Sequence, residues 1–565
     1  MLDAPSPAPP TRGSLAGFWR GHGFTIAALT LVFVGALWRL RIAAHELSTP
    51  LIDENEVVEQ AVAFMGGYLE HHFVKYGPLT MYVLSGVYRL AAALHGLSTI
   101  EYASRVFFRG EEHYFIARAL TSLSLSALAL VAFFHLRRSL GPRPALVAAA
   151  GLGLPCVDVL VVGARIDMPQ AMFQGLALLA LGAASISGSR RAWLGAGVAA
   201  GLGIASKPLP GLLLVPCFPI ASWFAVQHAG GRESRRWWAW CLAALAHPGL
   251  WIAALAALLA ALLGDPAIVN FGEFVASQRA AVALHSGPGV GSGQRVVASF
   301  ETLGLPFCAL LFASFGLVLV KGSPPARLVA LFLVVYLAAF WGRSRHYFLA
   351  AAVVAACLLI AHGVASAERL LDREGAASVW FRRVAPALPL LMVLAPLARI
   401  EQRIAIPSGA RAARDWIHAN IASGTRLHYV GWRGAGPRLV ANSASVQAAF
   451  GDHFGYGREH YAFLKQAFER GYADYASSGA PRYAIAQYHN KPVSRASGKA
   501  PRSITDGLLK TARAQKRPYI VIAGHGGREV QALGYTWFKE AVLEWDSGGI
   551  AIFRVPAAAP PTPGP

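Results

Sequence analysis

The stretch Leu51–Leu79, LIDENEVVEQAVAFMGGYLEHHFVKYGPL, follows one long apolar run and precedes a second apolar segment. It opens on the carboxylates Asp53 and Glu54, and some twenty residues later it carries His71, His72 and Lys75 before Gly77-Pro78. Charged groups gathered at the end of a membrane-length segment call for an explanation, because ionisable residues near hydrocarbon are costly and mark function by default.

Working outward, the chain of 565 residues is 55% hydrophobic and only 14% charged. A soluble domain carries about a quarter charged residues. Apolar segments that suit membrane crossings are drawn at about 24–44, 117–136, 144–163, 168–186, 192–206, 208–226, 239–263, 303–320, 327–342, 347–364 and 384–399, which predicts a multi-pass α-helical membrane protein of about eleven spans. The first run is a retained span with Trp38, Arg39 and Arg41 as interfacial anchors, and has no small-residue cleavage site after it. The expected organisation is a disordered cytoplasmic N-terminus over 1–22, a transmembrane part over 23–399 with an outer loop at 45–116, a soluble extracytoplasmic α/β domain over 400–555, and a disordered tail over 556–565.

Orientation follows from the cations of short loops. With the N-terminus cytoplasmic, Arg137, Arg138 and Arg143, then Arg190 and Arg191, Arg232, Arg235 and Arg236, Lys321 and Arg327, and Arg369, Arg373, Arg382 and Arg383 all fall on the cytoplasmic side. The segment 45–116 then lies outside, and its halves 56–70 and 78–95 are expected as helices on the membrane surface, the first with Val57, Ala61, Phe64 and Met65 on one face. Loop 264–300 contains HSGPGVGSGQR, suited either to order over a substrate or to serve as a plain linker. An odd number of spans puts residues after 400 outside. There, ARAARDWIHANIASGTRLHYVG reads as a helix followed by a short strand, RPYIVIAG and GIAIFRV as further strands, and 457–471 and 503–516 as helices.

The formal net charge is +21, and residues 401–565 hold 21 Lys/Arg against 11 Asp/Glu. A basic surface beside a bilayer suits anionic headgroups or an acidic acceptor. Nucleic acid is excluded as a partner, since no nucleic-acid-binding motif accompanies the charge. The five cysteines lie in apolar segments without metal-ligand spacing and are expected as small buried hydrophobes.

Five polar stations fall on the same outer face in this threading: Asp53-Glu54, Lys75, Arg165 with Asp167, Lys207, and Arg343, Arg345, His346 and Tyr347. Ordinary interfacial anchoring explains single cations among them but not the carboxylates. One pocket with two carboxylates and several cations suits activation of an acceptor hydroxyl or amine by a base, with cations holding a departing phosphate. No Gly-rich phosphate loop accompanies it, so a nucleotide is not the expected donor. A transporter or flippase of lipid-linked sugars is the alternative, and it predicts polar residues spread through the midplane of repeated halves. A non-catalytic scaffold binding envelope polymer would leave Asp53 and Asp167 unexplained.

The order LIDENE, VKYGPLTMYVL, ARIDMPQAMF, GLGIASKPLPG, RSRHYFLAAA and ARDWIHANI resembles the GT-C glycosyltransferases that use polyprenyl-phosphate sugars, among them the protein O-mannosyltransferases and the lipid A aminoarabinose transferases. The resemblance implies transfer of a sugar from a polyprenyl-phosphate donor to an envelope glycan, lipid or protein acceptor at the inner (plasma) membrane. It makes Asp53 the general base, with Glu54 and Asp167 completing the catalytic carboxylates, and Lys75, Lys207, Arg345 and Tyr347 the donor-phosphate ligands. Some relatives carry Glu before the lysine and bind a divalent metal there. This chain has Val74 there, so no cofactor is certain and a divalent metal stays an open alternative. His71, His72 and His285 are expected as surface histidines rather than ligands.

Overall fold

The computed structural model describes residues 15–45, 52–67, 77–154, 156–158, 160, 165–229, 237–285, 294–341, 349–371, 376–405, 409–430, 439, 460–478, 481–488, 512–514, 516–523, 541–547 and 550–556. In chain order the helices are α1 (Leu15–Ala44), α2 (Ile52–Met65), α3 (Leu79–Leu94), α4 (Thr99–Arg109), α5 (Glu111–Ser139), α6 (Pro142–Gly153), α7 (Asp167–Ser187), α8 (Arg190–Ser206), α9 (Pro208–Leu212), α10 (Cys217–Ala229), α11 (Trp237–Ala246), α12 (Pro248–Gly264), α13 (Phe271–His285), α14 (Gln294–Leu303), α15 (Leu305–Lys321), α16 (Pro324–Phe340), α17 (Ala350–Leu371), α18 (Ala376–Val384), α19 (Leu388–Ala405), α20 (Gly409–Asn420) and α21 (His460–Ser477). Strands β1 (Arg426–Val430), β2 (Ala484–Tyr488), β3 (Tyr519–Ala523), β4 (Val542–Ser547) and β5 (Ile550–Arg554) follow α20 in space.

Among the described residues, six helices are long and apolar enough to cross a membrane, or eight if the bent pairs α11–α12 and α14–α15 each count as one crossing, against eleven expected spans. The remaining segments are shorter or broken helices. The segment drawn at 144–163 is helical only to Gly153, because Leu154 precedes Pro155 and takes the extended conformation that proline imposes on its predecessor (φ −83, ψ 158). Phe33, Leu37, Trp251, Leu255, Leu263 and Phe312 stand exposed on the helices, as lipid-facing side chains do. α17 is buried on every face from Ala350 to Ser366, so it forms the centre of the bundle. α8 and α12 approach so closely that a Cβ on Gly197 would lie 2.2 Å from the Ala253 carbonyl oxygen. This is the small-residue packing that substitutes for hydrophobic drive in lipid.

A second core lies at one end of the bundle. Val57, Val58, Ala61, Val62, Phe64 and Met65 of α2 pack with Met81, Leu84 and Tyr88 of α3, Tyr102 and Val106 of α4, Ile166, and Leu464 and Ala467 of α21. The face expected to lie on the membrane is therefore covered largely by protein, and α2 spans 52–65 rather than 56–70. Loop 264–300 likewise holds a 3₁₀ turn (Pro266–Val269), α13 and most of α14; residues 286–293 lie outside the described residues.

The strands form one sheet in the order β2-β1-β3-β5-β4. β1 pairs in parallel with β2 and β3, while β5 runs antiparallel to β3 and β4. Strand alternation divides the apolar residues between two faces. Leu427, Val521, Ile550 and Ile552 meet Ala413 and Ile417 of α20, and Ile520, Ile522, Ala551 and Phe553 form the opposite cluster. With both faces covered, YIVIA reads as an unbroken apolar run. Sequence patterning does not mark β2 and β4, whose Gln487, Glu544 and Asp546 interrupt it. Of the helix expected at 503–516, the described part is 512–514.

Arg39 is not an interfacial anchor. Its side chain is fully buried and pairs with buried Asp158, Nη2 to Oδ2 at 2.9 Å. It also donates to Ser126 Oγ at 3.0 Å, to the carbonyls of Leu152 and Leu154 at 3.0 and 3.1 Å, and to the carbonyl of Gly153. These acceptors are the C-terminal carbonyls of α6, left open where Pro155 ends the helix. Trp38 and Arg41 instead reach Glu401 near the end of α19, at 2.8 and 2.9 Å.

α12 ends in a buried carboxylate. Asp265 Oδ1 accepts the Ala267 N–H at 3.2 Å and is 3% exposed. Burial raises its carboxyl pKa to about 6, the hydrogen bond from Ala267 opposing this.

Two expectations follow. Arg39→Leu leaves Asp158 buried without its cation and should cost about 3–5 kcal/mol, while the double variant Arg39→Leu/Asp158→Leu should recover part of that loss; a double variant that melts no higher than the single one refutes the pairing energetics. Asp265 binds its proton more tightly folded than unfolded, so its contribution to stability is present below about pH 4 and lost as pH rises through about 6. Asp265→Asn should therefore raise the apparent melting temperature at pH 8, with the gain vanishing near pH 4; an equal gain at both values refutes it.

Candidate active site

The end of the bundle that carries the second core also receives the polar stations. Asp167 opens α7 and Lys207 follows α8. Pro208 forces Lys207 into an extended backbone (φ −153, ψ 100), which ends α8 at Ser206. Its Nζ meets Asp167 Oδ1 at 2.5 Å, with both side chains 4% exposed. An anion at a helix N-terminus and a cation at a helix C-terminus each oppose the local backbone charge, so the pair is favoured twice over. Tyr336 of α16 lies beside Asp167 and the Gln170 amide, walling the pair on another side.

The lysine-bearing stretch docks on this pair through its glycine. The Gly77 N–H donates to the Ser206 carbonyl at 3.1 Å. A Cβ at position 77 would lie 1.7 Å from the Ala205 carbonyl oxygen, so only glycine permits the approach. On the other flank, Gly264 packs against Ala205, which sets Asp265 at the same end.

Glu54, in the first turn of α2, is fully buried. It accepts from Arg118 of α5 in bidentate fashion, Nε to Oε1 at 2.7 Å and Nη2 to Oε2 at 2.9 Å. Arg118 also donates to the His45 carbonyl at 2.6 Å, tying α2, α5 and the end of α1 together. Asp53 shares the first turn of α2, although its side chain lies outside the described residues.

Of the expected site residues, the structure thus brings Asp167 and Lys207 into contact and commits Glu54 to Arg118. Arg165 sits half-buried just before α7. Lys75, Arg345 and Tyr347, with His71, His72, Arg343 and His346, lie outside the described residues; His285 is the last residue of α13. Sequence reasoning missed Arg118, Asp158 and Asp265. Each is an ionisable residue in or at the end of an apolar run, so the signal existed, but Arg118 and Asp158 fell inside drawn spans and Asp265 at a span's edge.

Among the described residues, no three His, Cys, Asp or Glu side chains converge to hold a metal ion. Glu54 and Asp167 are each already met by a cation, so neither offers a free carboxylate to one.

The family model described as dolichyl-phosphate-mannose-protein mannosyltransferase matches residues 99–252, from α4 into α12. No curated protein sequence matches the chain. Among solved structures, ArnT from Cupriavidus metallidurans bound to undecaprenyl phosphate aligns over 96% of this chain and 100% of its own, at 14% identity and a TM-score of 0.44. The Archaeoglobus fulgidus oligosaccharyltransferase in complex with Zn and sulfate aligns over 87% of this chain and 67% of its own, at 11% identity and a TM-score of 0.44. The arabinofuranosyltransferase AftD from Mycobacteria aligns over 93% and 41%, at 14% identity and a TM-score of 0.40. The stretch matched by the family model, about a quarter of this membrane protein, contains both Asp167 and Lys207.

Proposed function

We propose that the protein transfers a sugar from a polyprenyl-phosphate donor to an extracytoplasmic acceptor, an envelope glycan, lipid or protein. The observation that carries this reading is the meeting of three motif stretches distant in sequence. KYGP touches ASKP through Gly77 and Ser206, and SKP touches RIDMPQ through Lys207 and Asp167. A membrane-embedded phosphate donor explains why cations and carboxylates collect at the end of a helix bundle rather than in a soluble domain. The same end receives α19 and hence the sheet, which on this reading lies outside the plasma membrane and contacts the acceptor.

In this scheme Asp53 takes the proton from the acceptor hydroxyl as its oxygen attacks the anomeric carbon. The bond from that carbon to the phosphate oxygen breaks, and polyprenyl phosphate leaves with the bonding pair. Lys75, Lys207, Arg345 and Tyr347 hold the phosphate and stabilise its growing charge. Asp167 holds Lys207 in place within a buried site. Glu54, held by Arg118, fixes the first turn of α2 and so positions Asp53.

Asp53→Asn preserves shape and removes the proton acceptor. Transfer from a radiolabelled polyprenyl-phosphate sugar should fall by about 10²-fold or more with donor binding retained; near-normal turnover in correctly inserted protein refutes the role. Lys207→Ala alone strands Asp167, so the informative variant is Lys207→Ala/Asp167→Asn, which leaves no buried charge. It should fold and lose about tenfold or more in donor affinity; unchanged affinity removes Lys207 from the phosphate site.

A further inference from the structure

α21 does not rest on α4 along its whole length. The two helices touch at Gly471, where a Cβ would lie 2.7 Å from the Ser104 carbonyl oxygen, and Phe468 closes one side against Phe107 and Phe108, with ring centroids at 5.3 and 5.1 Å. Beyond that contact they part to leave a cavity of about 230 Å³. Its lining holds two arginines, Arg105 and Arg470, two carboxylates, Glu101 and Asp474, and the aromatic pair Phe108 and Tyr475, stacked at 5.5 Å. Glu101 and Arg470 approach at 3.7 Å, and Arg470 and Asp474 at 4.0 Å.

We infer that this cavity is a binding subsite for one sugar unit of a neutral, polyhydroxylated acceptor chain. Two positive and two negative groups cancel, so neither a phosphate nor an acidic headgroup gains net attraction there. What the lining does offer is a dense set of fork-shaped donors and paired acceptors around aromatic surface. A pyranose presents the complement: adjacent hydroxyls that bridge guanidinium and carboxylate, and an apolar C–H face that packs on a ring. The exposed ion pairs are weak, so exchanging part of them for hydroxyl contacts costs little. α4 and α21 belong to the same packed core as α2 and Ile166, which precedes Asp167. A chain seated in the cavity is therefore held on the unit that carries the site. The inference rests on the proposed glycosyl transfer for its purpose, though not for its test.

The test is direct binding to the full-length protein in nanodiscs. Saturation transfer to methyl glucopyranoside, galactopyranoside and mannopyranoside is read for the wild type and for Arg105→Gln/Asp474→Asn, a charge-neutral change at a half-buried and an exposed position. Tyr475 is left intact because its hydroxyl donates to the Pro481 carbonyl at 3.1 Å and supports the fold. At least one glycoside should bind the wild type, tolerate millimolar inorganic phosphate, and lose about tenfold or more in affinity in the variant. Binding unchanged in the variant, no glycoside bound by the wild type, or phosphate competing for the cavity each overturns the inference. Asp474→Asn alone serves if the double variant fails to fold. Hydrolysis of the polyprenyl-phosphate sugar by water is measured alongside. The cavity variant should leave it unchanged, and its absence from the wild type would count against the transfer reaction while leaving the binding result to stand by itself.

Discussion

A guanidinium fully enclosed in a helix bundle must find every partner within the protein, since no water reaches it. Arg39 does so by closing on Asp158 and on the last carbonyls of α6. That arrangement solves two problems together. It neutralises a carboxylate that burial alone would drive toward protonation, and it supplies donors to a helix end that Pro155 has left without them. Lys207 locates α8 by the same logic, its ammonium meeting the Asp167 carboxylate that opens α7.

The site is consequently built from helix ends. Asp167 begins one helix, Lys207 follows another, Glu54 stands in the first turn of a third, and Asp265 closes a fourth. Helix termini leave backbone groups unsatisfied, and polar side chains can congregate there without disturbing the hydrogen-bonded interiors that hydrocarbon demands. The glycosyl transfer proposed above, from a lipid-borne phosphate, needs the same location, where bilayer gives way to water.

How much of this could be read in the chain depends on whether the signal was local. Hydropathy marks the long helices, and an ionisable residue beside an apolar run marks Asp167 and Lys207 as soon as the run is recognised. The strands β3 and β5 announce themselves through β-branched residues. Arg39 misleads because Trp38 and Arg41 flank it at the end of a span, which is how an interfacial anchor looks; its partner is 119 positions away, and no periodicity reveals such a distance. β2, with Ala, Gln and Tyr, has too little β preference to stand out and owes its strand to pairing with β1. The seating of α21 on α4 is equally hidden, since it depends on the shape around Gly471 rather than on any pattern of apolar residues.

The link from Trp38 and Arg41 to Glu401 joins the first long helix to the last across about 360 residues. During synthesis at roughly 5–20 residues per second, α1 must wait on the order of twenty seconds to a minute before that partner emerges. Until then Trp38 and Arg41 lack this partner, so the contact between α1 and α19 is among the last that the bundle can make.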